Sequence, residues 1–296
     1  MASNSRVRPL SYTSRVRPIP YTSLVRPLVY SGSAVSAVTV NDTNHLAWIT
    51  HLDNPAMTAT ITATTASTVY PKSNLQVLPI TAVWRSVGVA AAQDLEFDFG
   101  SSQQVDILAL VNHNLTSAAT IAVAAGTTTS YADFSTTITW REFISFKRLS
   151  TPENYRYWRI RITDTANTDG FIEVGYPVVG LLVKPQFSFQ QGWISATDIA
   201  TSKVKSEFGN PTVEKLYQRQ RLELPFGPLD SSQSLVMRAL YTSTRRNVYP
   251  LLILPTRGGT DAYFGRIWNF MEERVEFYRY MDLQFIEDSY GERIKA

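Results

Sequence analysis

Polar and apolar residues alternate along two stretches of this sequence, and the alternation restricts much of the chain to β-strands. Between residues 94 and 100, acidic residues alternate with leucine and phenylalanine. Between residues 157 and 164, arginines alternate with Trp158, Ile160 and Ile162, which we expect to point into a core. A period of two is typical of a strand with one face in water. A third stretch, 105–111, is apolar at nearly every position, as expected of a strand covered on both faces.

Turn-rich segments such as FGSSQQ and TDTANTDG separate these stretches. Many short strands joined by such turns predict an antiparallel β-sandwich. The predicted fold class is therefore mainly β. It comprises an extended N-terminal arm (1–34), an antiparallel jelly-roll sandwich (35–185), and a smaller β-rich α+β domain with one helix (186–296).

Composition narrows the chemistry that is open to the chain. The 296 residues are 44% hydrophobic and 18% charged, which is typical of a globular protein with large contact surfaces. The sequence has no cysteine, which excludes disulfides and thiolate chemistry. No apolar run approaches the length of a membrane-spanning helix, so we expect no membrane span.

The last third of the sequence predicts one helix of about four turns. Asp230 or Ser231 is the expected N-cap, and Arg245 and Arg246 are expected in the last turn, where positive charge suits the helix dipole. Its predicted apolar stripe consists of Leu235, Val236, Ala239 and Leu240.

Three strands are predicted around this helix. RLELPFGPL (221–229) precedes it, and VYPLLILP, bracketed by Pro250 and Pro255, follows it as a buried strand. The third, RVEFYRYMDLQFIED, places five apolar residues on one face: Val275, Phe277, Met281, Leu283 and Phe285.

The N-terminal arm contains three nearly identical nine-residue copies between Ser5 and Ser31. Each copy holds Val-Arg-Pro, whose proline excludes a helix, and ends in a tyrosine. The arm carries five arginines and no acid, yet its arginines are too sparse for nucleic acid, and its Pro-Leu and Pro-Ile pairs suit a groove on a protein. We therefore expect it to bind a neighbouring subunit, with these contacts: Arg8, Pro9, Tyr12, Arg17, Pro18, Tyr21, Arg26, Pro27 and Tyr30.

Three segments between Tyr70 and Gly180 resemble a known family. They are YPKSNLQVLPITAVWRS, LEFDFGSSQQVDILALVNHNLTSAATIAV and YRYWRIRITDTANTDGFIEVGYPVVG. Together they resemble the discoidin-like, galactose-binding-like β-sandwich of bacteriophage tail and baseplate proteins. By the order of its elements, the region 186–296 is similar to the ring-forming domains of phage tails. Fold alone does not fix function, so the resemblance bears mainly on architecture.

Four residues are candidates for contact with a glycan: Trp84, Arg85, His113 and Asn114. An aromatic ring stacks on a sugar face and polar groups bind its hydroxyls. The alternative for Trp84 is a place in the core. The alternative for the Asn-His-Asn turn is that the asparagines cap the turn while His113 is solvated.

The sequence shows no catalytic, metal-binding or cofactor-binding motif that would indicate an enzyme. The acids Asp94, Glu96 and Asp98 lie on one strand face, as an ordinary solvated row does. His45 and His51 lack metal-ligand spacing, and TRGGTDAYFG has no P-loop lysine. We therefore predict no catalytic residue, no metal and no cofactor.

Three function classes follow from these observations. The first is a structural virion component of a phage tail or baseplate, made in the host cytoplasm and assembled as a homo-oligomer with other tail proteins. The alternative is a carbohydrate-binding protein that recognises a cell-surface glycan through the sandwich loops. An enzyme acting on glycans ranks last.

Overall fold

The computed structural model describes residues 46–185, 187, 189, 194–205, 211–255, 261–275 and 278–287. The predicted arm and its nine docking residues lie outside these ranges. Within them the protein is mainly β, with two antiparallel sheets and one α-helix. Two short 3-10 helices, Pro55–Met57 and Lys72–Gln76, precede the main strands of the sandwich.

Seven strands form the sandwich. They are β2 (Thr60–Ala63), β3 (Trp84–Arg85), β4 (Gln93–His113), β5 (Thr120–Gly126), β6 (Phe134–Ile138), β7 (Ile144–Thr163) and β8 (Glu173–Gly180). The long strands β4 and β7 pass through both layers. Their pairing breaks between Asp98 and Gln103, where Gly100 adopts a φ of 75°. The front layer is β2-β4-β7-β5-β6, and the back layer pairs the second half of β4 with β8 and the start of β7.

The core of the sandwich lies between these two layers. Trp158, Ile160 and Ile162 are fully buried in it, which confirms the orientation predicted from their alternation. The predicted mainly β fold with an antiparallel sandwich is likewise confirmed.

The stretch 105–111 of β4 is buried on both faces, as predicted. Val105, Leu108 and Leu110 pack in the sandwich core, whereas Ile107, Ala109 and Val111 pack on the other side. A pairing irregularity between Val105 and Ile107 changes the alternation at this point. The back layer is therefore a middle layer that contacts a second sheet.

That second sheet has six strands in the order β1-β11-β12-β13-β10-β9. They are β1 (Ala47–Thr50), β9 (Ile194–Lys205), β10 (Pro211–Leu229), β11 (Leu251–Leu254), β12 (Tyr263–Val275) and β13 (Tyr278–Glu287). β1 comes from the region assigned to the sandwich domain, yet it pairs with β11 and forms a bridge from Trp48 to Val183. The strands predicted over 221–229 and in VYPLLILP are confirmed.

The α-helix, α1 (Ser231–Ser243), packs on the far side of this second sheet. Asp230 is its N-cap, as predicted, and forms a capping box with Gln233. The predicted stripe is wrong at three of its four positions, because Leu235, Val236 and Ala239 are exposed, whereas Leu240 is buried as predicted, together with Ser234 and Met237. Met237 and Leu240 pack in one buried cluster with Leu229, which immediately precedes the N-cap residue.

Two further predictions in this region need correction. Arg245 and Arg246 do not lie in the last turn of α1 but follow its C-cap, Thr244, with φ values of 48° and 53°. The segment 274–288 is not one strand, because Val275 pairs with Tyr278 across a hairpin. The strand β13 nevertheless buries three of the five predicted residues, Met281, Leu283 and Phe285, on one face, whereas Phe277 lies outside the described residues.

His51 lies where the second sheet meets the sandwich. Its Nδ1 is 2.7 Å from the Tyr176 hydroxyl, and its ring stacks on Tyr249 at a centroid distance of 4.9 Å. Burial lowers the pKa of His51 below its ordinary value of 6.5. As the pH falls below 6.5, the unfolded chain therefore binds a proton at His51 more readily than the folded protein does. The free energy of unfolding decreases over this range.

We accordingly expect the free energy of unfolding to fall between about pH 7.5 and about pH 5.5, the range in which histidine titrates. The variant His51→Gln keeps a polar group at this position but has no proton to gain. Urea unfolding at both pH values should show a smaller decrease for this variant than for the unaltered protein. Equal decreases would assign the pH dependence to other groups.

Candidate functional site

Trp84, the first of the predicted glycan contacts, lies in the core of the sandwich. Its side chain is completely buried on β3, and its Nε1 donates to the Thr65 carbonyl at 2.9 Å. Neither face of the indole is open to a ligand. Trp84 is therefore a core residue, which was the alternative given in the sequence analysis.

Arg85 follows Trp84 and lies at one end of the sandwich. Its guanidinium is held between the rings of Tyr70 and Phe171, with Cζ 4.0 and 3.8 Å from their centroids. Nε and Nη2 donate to Glu173 Oε2 at 3.2 and 2.9 Å. The donors on this edge of the guanidinium are therefore used within the protein.

His113 is the last residue of β4, and Asn114 follows it at the same end of the sandwich. His113 is buried, with Nε2 2.9 Å from Ser145 Oγ, and its Nδ1 accepts the Leu115 N–H. Asn114 Nδ2 donates to Asp169 Oδ2 and to the Phe171 carbonyl, and its Oδ1 accepts from the Glu173 N–H. Asn114 thus fixes the segment 169–173, against which Arg85 also packs. The structure brings Arg85 and Asn114 together through this segment, and their contact with a glycan stays a prediction.

A different surface, on the outer face of the front layer, has an open groove of about 430 Å³. We call it the sheet groove and define it by six residues: Ala122, Ala124, Ser135, Thr137, Arg159 and Arg161. The sequence analysis did not identify this surface.

Two cross-strand rows build the sheet groove. One row runs Glu96, Arg159, Ala124, Ser135 across β4, β7, β5 and β6, and the next runs Asp94, Arg161, Ala122, Thr137. Each row therefore begins with an acid, continues with an arginine and an alanine, and ends with a hydroxyl. Because alanine is small, β5 forms a low floor between a wall of guanidinium groups and a wall of hydroxyl groups.

The two arginines of the sheet groove are held differently. Arg161 donates from Nε and Nη2 to the two oxygens of Asp94, at 2.7 Å each. This pair accounts for the raised pKa of Arg161. Arg159 forms no such pair among the described residues, and its Nε is buried without a hydrogen-bond partner there.

Tyr131 supports Arg159 from the side. Its ring centroid lies 4.7 Å from Arg159 Cζ, and the negative charge of Glu96 acts on its hydroxyl. Burial and the negative charge of Glu96 raise the pKa of Tyr131 to about 12, so the phenol keeps its proton at neutral pH. Tyr131 adopts a φ of 53°, a conformation that costs a non-glycine residue energy. The Tyr131 ring thus lies beside the guanidinium of Arg159.

The described residues contain no group of three or more histidine, cysteine, aspartate or glutamate side chains that could hold a metal ion. In the same part of the chain, no helix is long and apolar enough to cross a membrane. The guanidinium and hydroxyl groups that line the sheet groove offer hydrogen bonding and charge pairing to a ligand.

Comparison with known proteins gives matches among solved structures alone. No protein-family model and no curated protein matches the chain. A chitosan-binding module of a chitosanase/glucanase from Paenibacillus sp. IK-5 is 20% identical, with a TM-score of 0.36, and the alignment covers 43% of this chain and 97% of that one.

Two further solved structures have the same TM-score of 0.36. The family 32 carbohydrate-binding module of NanJ from C. perfringens, in complex with galactose, is 16% identical, and the alignment covers 46% of this chain and 99% of that one. The fucose-binding module SpX-3 from Streptococcus pneumoniae is 12% identical, with 43% and 97% covered. These structures give no information on a phage tail or baseplate origin, which stays a prediction.

Proposed function

We propose that this protein binds carbohydrate without cleaving it, and that the glycan lies in the sheet groove. The observation that carries the proposal is the arrangement of the groove, with an alanine floor between guanidinium and hydroxyl walls. A sugar ring needs a low surface for its C–H face and fixed polar partners for its hydroxyl groups. Both are present here within two cross-strand rows.

The rigidity of the surface supports the same function. Arg161 is held at two points by Asp94, so this guanidinium is already ordered before a ligand arrives. A prepared surface loses less conformational entropy on binding than a flexible one. The sequence-based alternative, recognition of a glycan by the sandwich, is therefore retained, but at a different place from the loop residues first expected.

The test is to fill the groove with a side chain. Ala124→Tyr places a ring on the floor, and we expect it to lower affinity for a bound polysaccharide by about tenfold or more. Thr60→Tyr is the matched control, because Thr60 is exposed on β2 in the same layer but outside the groove. Affinity electrophoresis against a polysaccharide panel measures both variants. Unchanged binding by Ala124→Tyr, or no binding of any polysaccharide by the unaltered protein, would contradict the proposal.

The role predicted first, a structural component of a phage virion, is kept as a second candidate. One observation favours it: β9 is an edge strand of the second sheet, and its outer side has no partner among the described strands. Exposed edges pair readily with strands of other chains. The arm that would carry most of the assembly contacts lies outside the described residues, so this role stays a prediction.

A further inference from the structure

We propose that the sheet groove selects an acidic glycan, whose sugar carboxylate binds the guanidinium of Arg159. The inference rests on the proposed function and adds the ligand class to it. It depends on which of three arginines of β7, Arg156, Arg159 and Arg161, is paired with a carboxylate.

Two of these arginines are neutralised by carboxylates of the adjacent strand. Arg156 donates from Nε and Nη2 to the oxygens of Asp98 at 2.6 and 2.8 Å, and Arg161 pairs with Asp94 in the same way. Such two-point pairs are among the stronger polar contacts in proteins. Arg156 and Arg161 are therefore each paired with a carboxylate of the neighbouring strand β4.

Arg159 lies between these pairs and has no carboxylate of its own. Glu96 is its direct cross-strand neighbour, yet these two side chains, both among the described residues, form no ion pair within 4 Å. Within the described residues the guanidinium of Arg159 forms no hydrogen bond, and Nε is its one nitrogen that is buried. Nη1 and Nη2 therefore reach the solvent of the groove that Arg159 lines.

The position of the guanidinium suits a planar anion better than a hydroxyl. Stacking beside Tyr131 limits the motion of the guanidinium, and its two Nη atoms present parallel donors to the groove. A carboxylate accepts two parallel N–H bonds, whereas a sugar hydroxyl presents a single oxygen. The charge of Glu96 offsets that of Arg159 at longer range but leaves these donors without an acceptor.

The rest of the groove accommodates the sugar that carries such a carboxylate. Ser135 and Thr137 are exposed on the opposite wall, and the methyl groups of Ala122 and Ala124 lie between the walls. A uronate unit bound to Arg159 through its carboxylate would therefore place its ring over the alanines and its hydroxyls toward β6. Neutral sugars lack the group that Arg159 needs.

The experiment compares uronate polysaccharides of several linkages with their carboxyl-reduced counterparts, using the full chain. We expect at least one uronate polymer to bind about tenfold or more tightly than its reduced form, with a preference that weakens as salt is added. Arg159→Gln should lose this preference, whereas Arg159→Lys should keep part of it. Arg156→Gln is the control, because Arg156 does not line the groove, and it should keep the full preference.

The outcomes separate this inference from the proposed function. Equal binding of the two polymer forms, or a preference that survives in Arg159→Gln, would overturn the acidic ligand while leaving glycan binding in place. Tighter binding of a sulfated polymer than of every uronate polymer would also overturn it, since the anion would then not be a carboxylate. Failure of every polymer to bind would overturn the inference and the proposed function together.

Discussion

Replacing Trp158 by alanine should lower the free energy of unfolding by about 3–5 kcal/mol, the usual cost of removing a buried tryptophan. The side chain is completely buried, with Phe134 at 5.8 Å and Tyr155 at 6.2 Å between ring centroids. Its Nε1 also donates to the Tyr155 carbonyl at 3.2 Å. A cavity at this point lies between both layers of the sandwich, where neighbouring strands have little freedom to close it.

The matched control is the same substitution at an exposed tryptophan. Trp268 on β12 is 62% exposed, so Trp268→Ala should cost less than about 1 kcal/mol. Denaturant unfolding followed by far-ultraviolet circular dichroism measures both variants without relying on tryptophan fluorescence. Similar losses at the two positions would show that Trp158 does not anchor the core.

The burial of Trp158 could be predicted from sequence because it depends on a local rule. In a strand, every second side chain faces the same side, so one alternating stretch assigns all its residues together. The same holds for 105–111, whose unbroken apolar run requires cover on both faces. The sequence did not reveal that the cover on one side is a second sheet that includes β1.

Predictions failed where the outcome depends on contacts between distant elements. On α1, both the predicted stripe and the buried one are compatible with helical spacing, and the packing against the second sheet selects Met237 and Leu240. The hairpin between β12 and β13 interrupts an alternation that continues through the turn. Local periodicity does not distinguish one long strand from two short ones.

The sheet groove could not be predicted from the sequence for the same reason, because it depends on contacts between distant strands. The alternating arginines of β7 predict a polar face, and the alternating acids of β4 predict another. Which arginine lacks a carboxylate depends on strand register, and the ring beside that arginine is Tyr131, which comes from the turn between β5 and β6. Neither is visible in a single sequence without the pairing of β4, β5 and β7.

A second large loss of the free energy of unfolding is expected at a buried acid in the middle of β4. Asp106 is completely buried, and its carboxylate accepts from the Leu182 N–H at 2.8 Å and from Lys184 Nζ. These contacts connect the middle layer of the protein to the segment that follows β8. Lys184→Met would leave the carboxylate without its cation in an apolar surrounding.

We expect Lys184→Met to lower the free energy of unfolding by an amount near the lower end of the about 3–5 kcal/mol typical of a broken buried ion pair. The lower end applies because 34% of the Lys184 side chain is exposed, so water reaches the ammonium end of the pair. Asp106→Asn should cost less, since its amide oxygen still accepts from the Leu182 N–H.

The double variant Asp106→Asn with Lys184→Met distinguishes the pair from the packing around it. It removes both charges, so most of the loss caused by Lys184→Met alone should be recovered. Urea unfolding of the two single variants and the double variant gives the coupling free energy directly. If the losses of the single variants simply added in the double variant, Asp106 would not depend on Lys184 for its charge balance, and the Leu182 N–H would be its main stabilising contact.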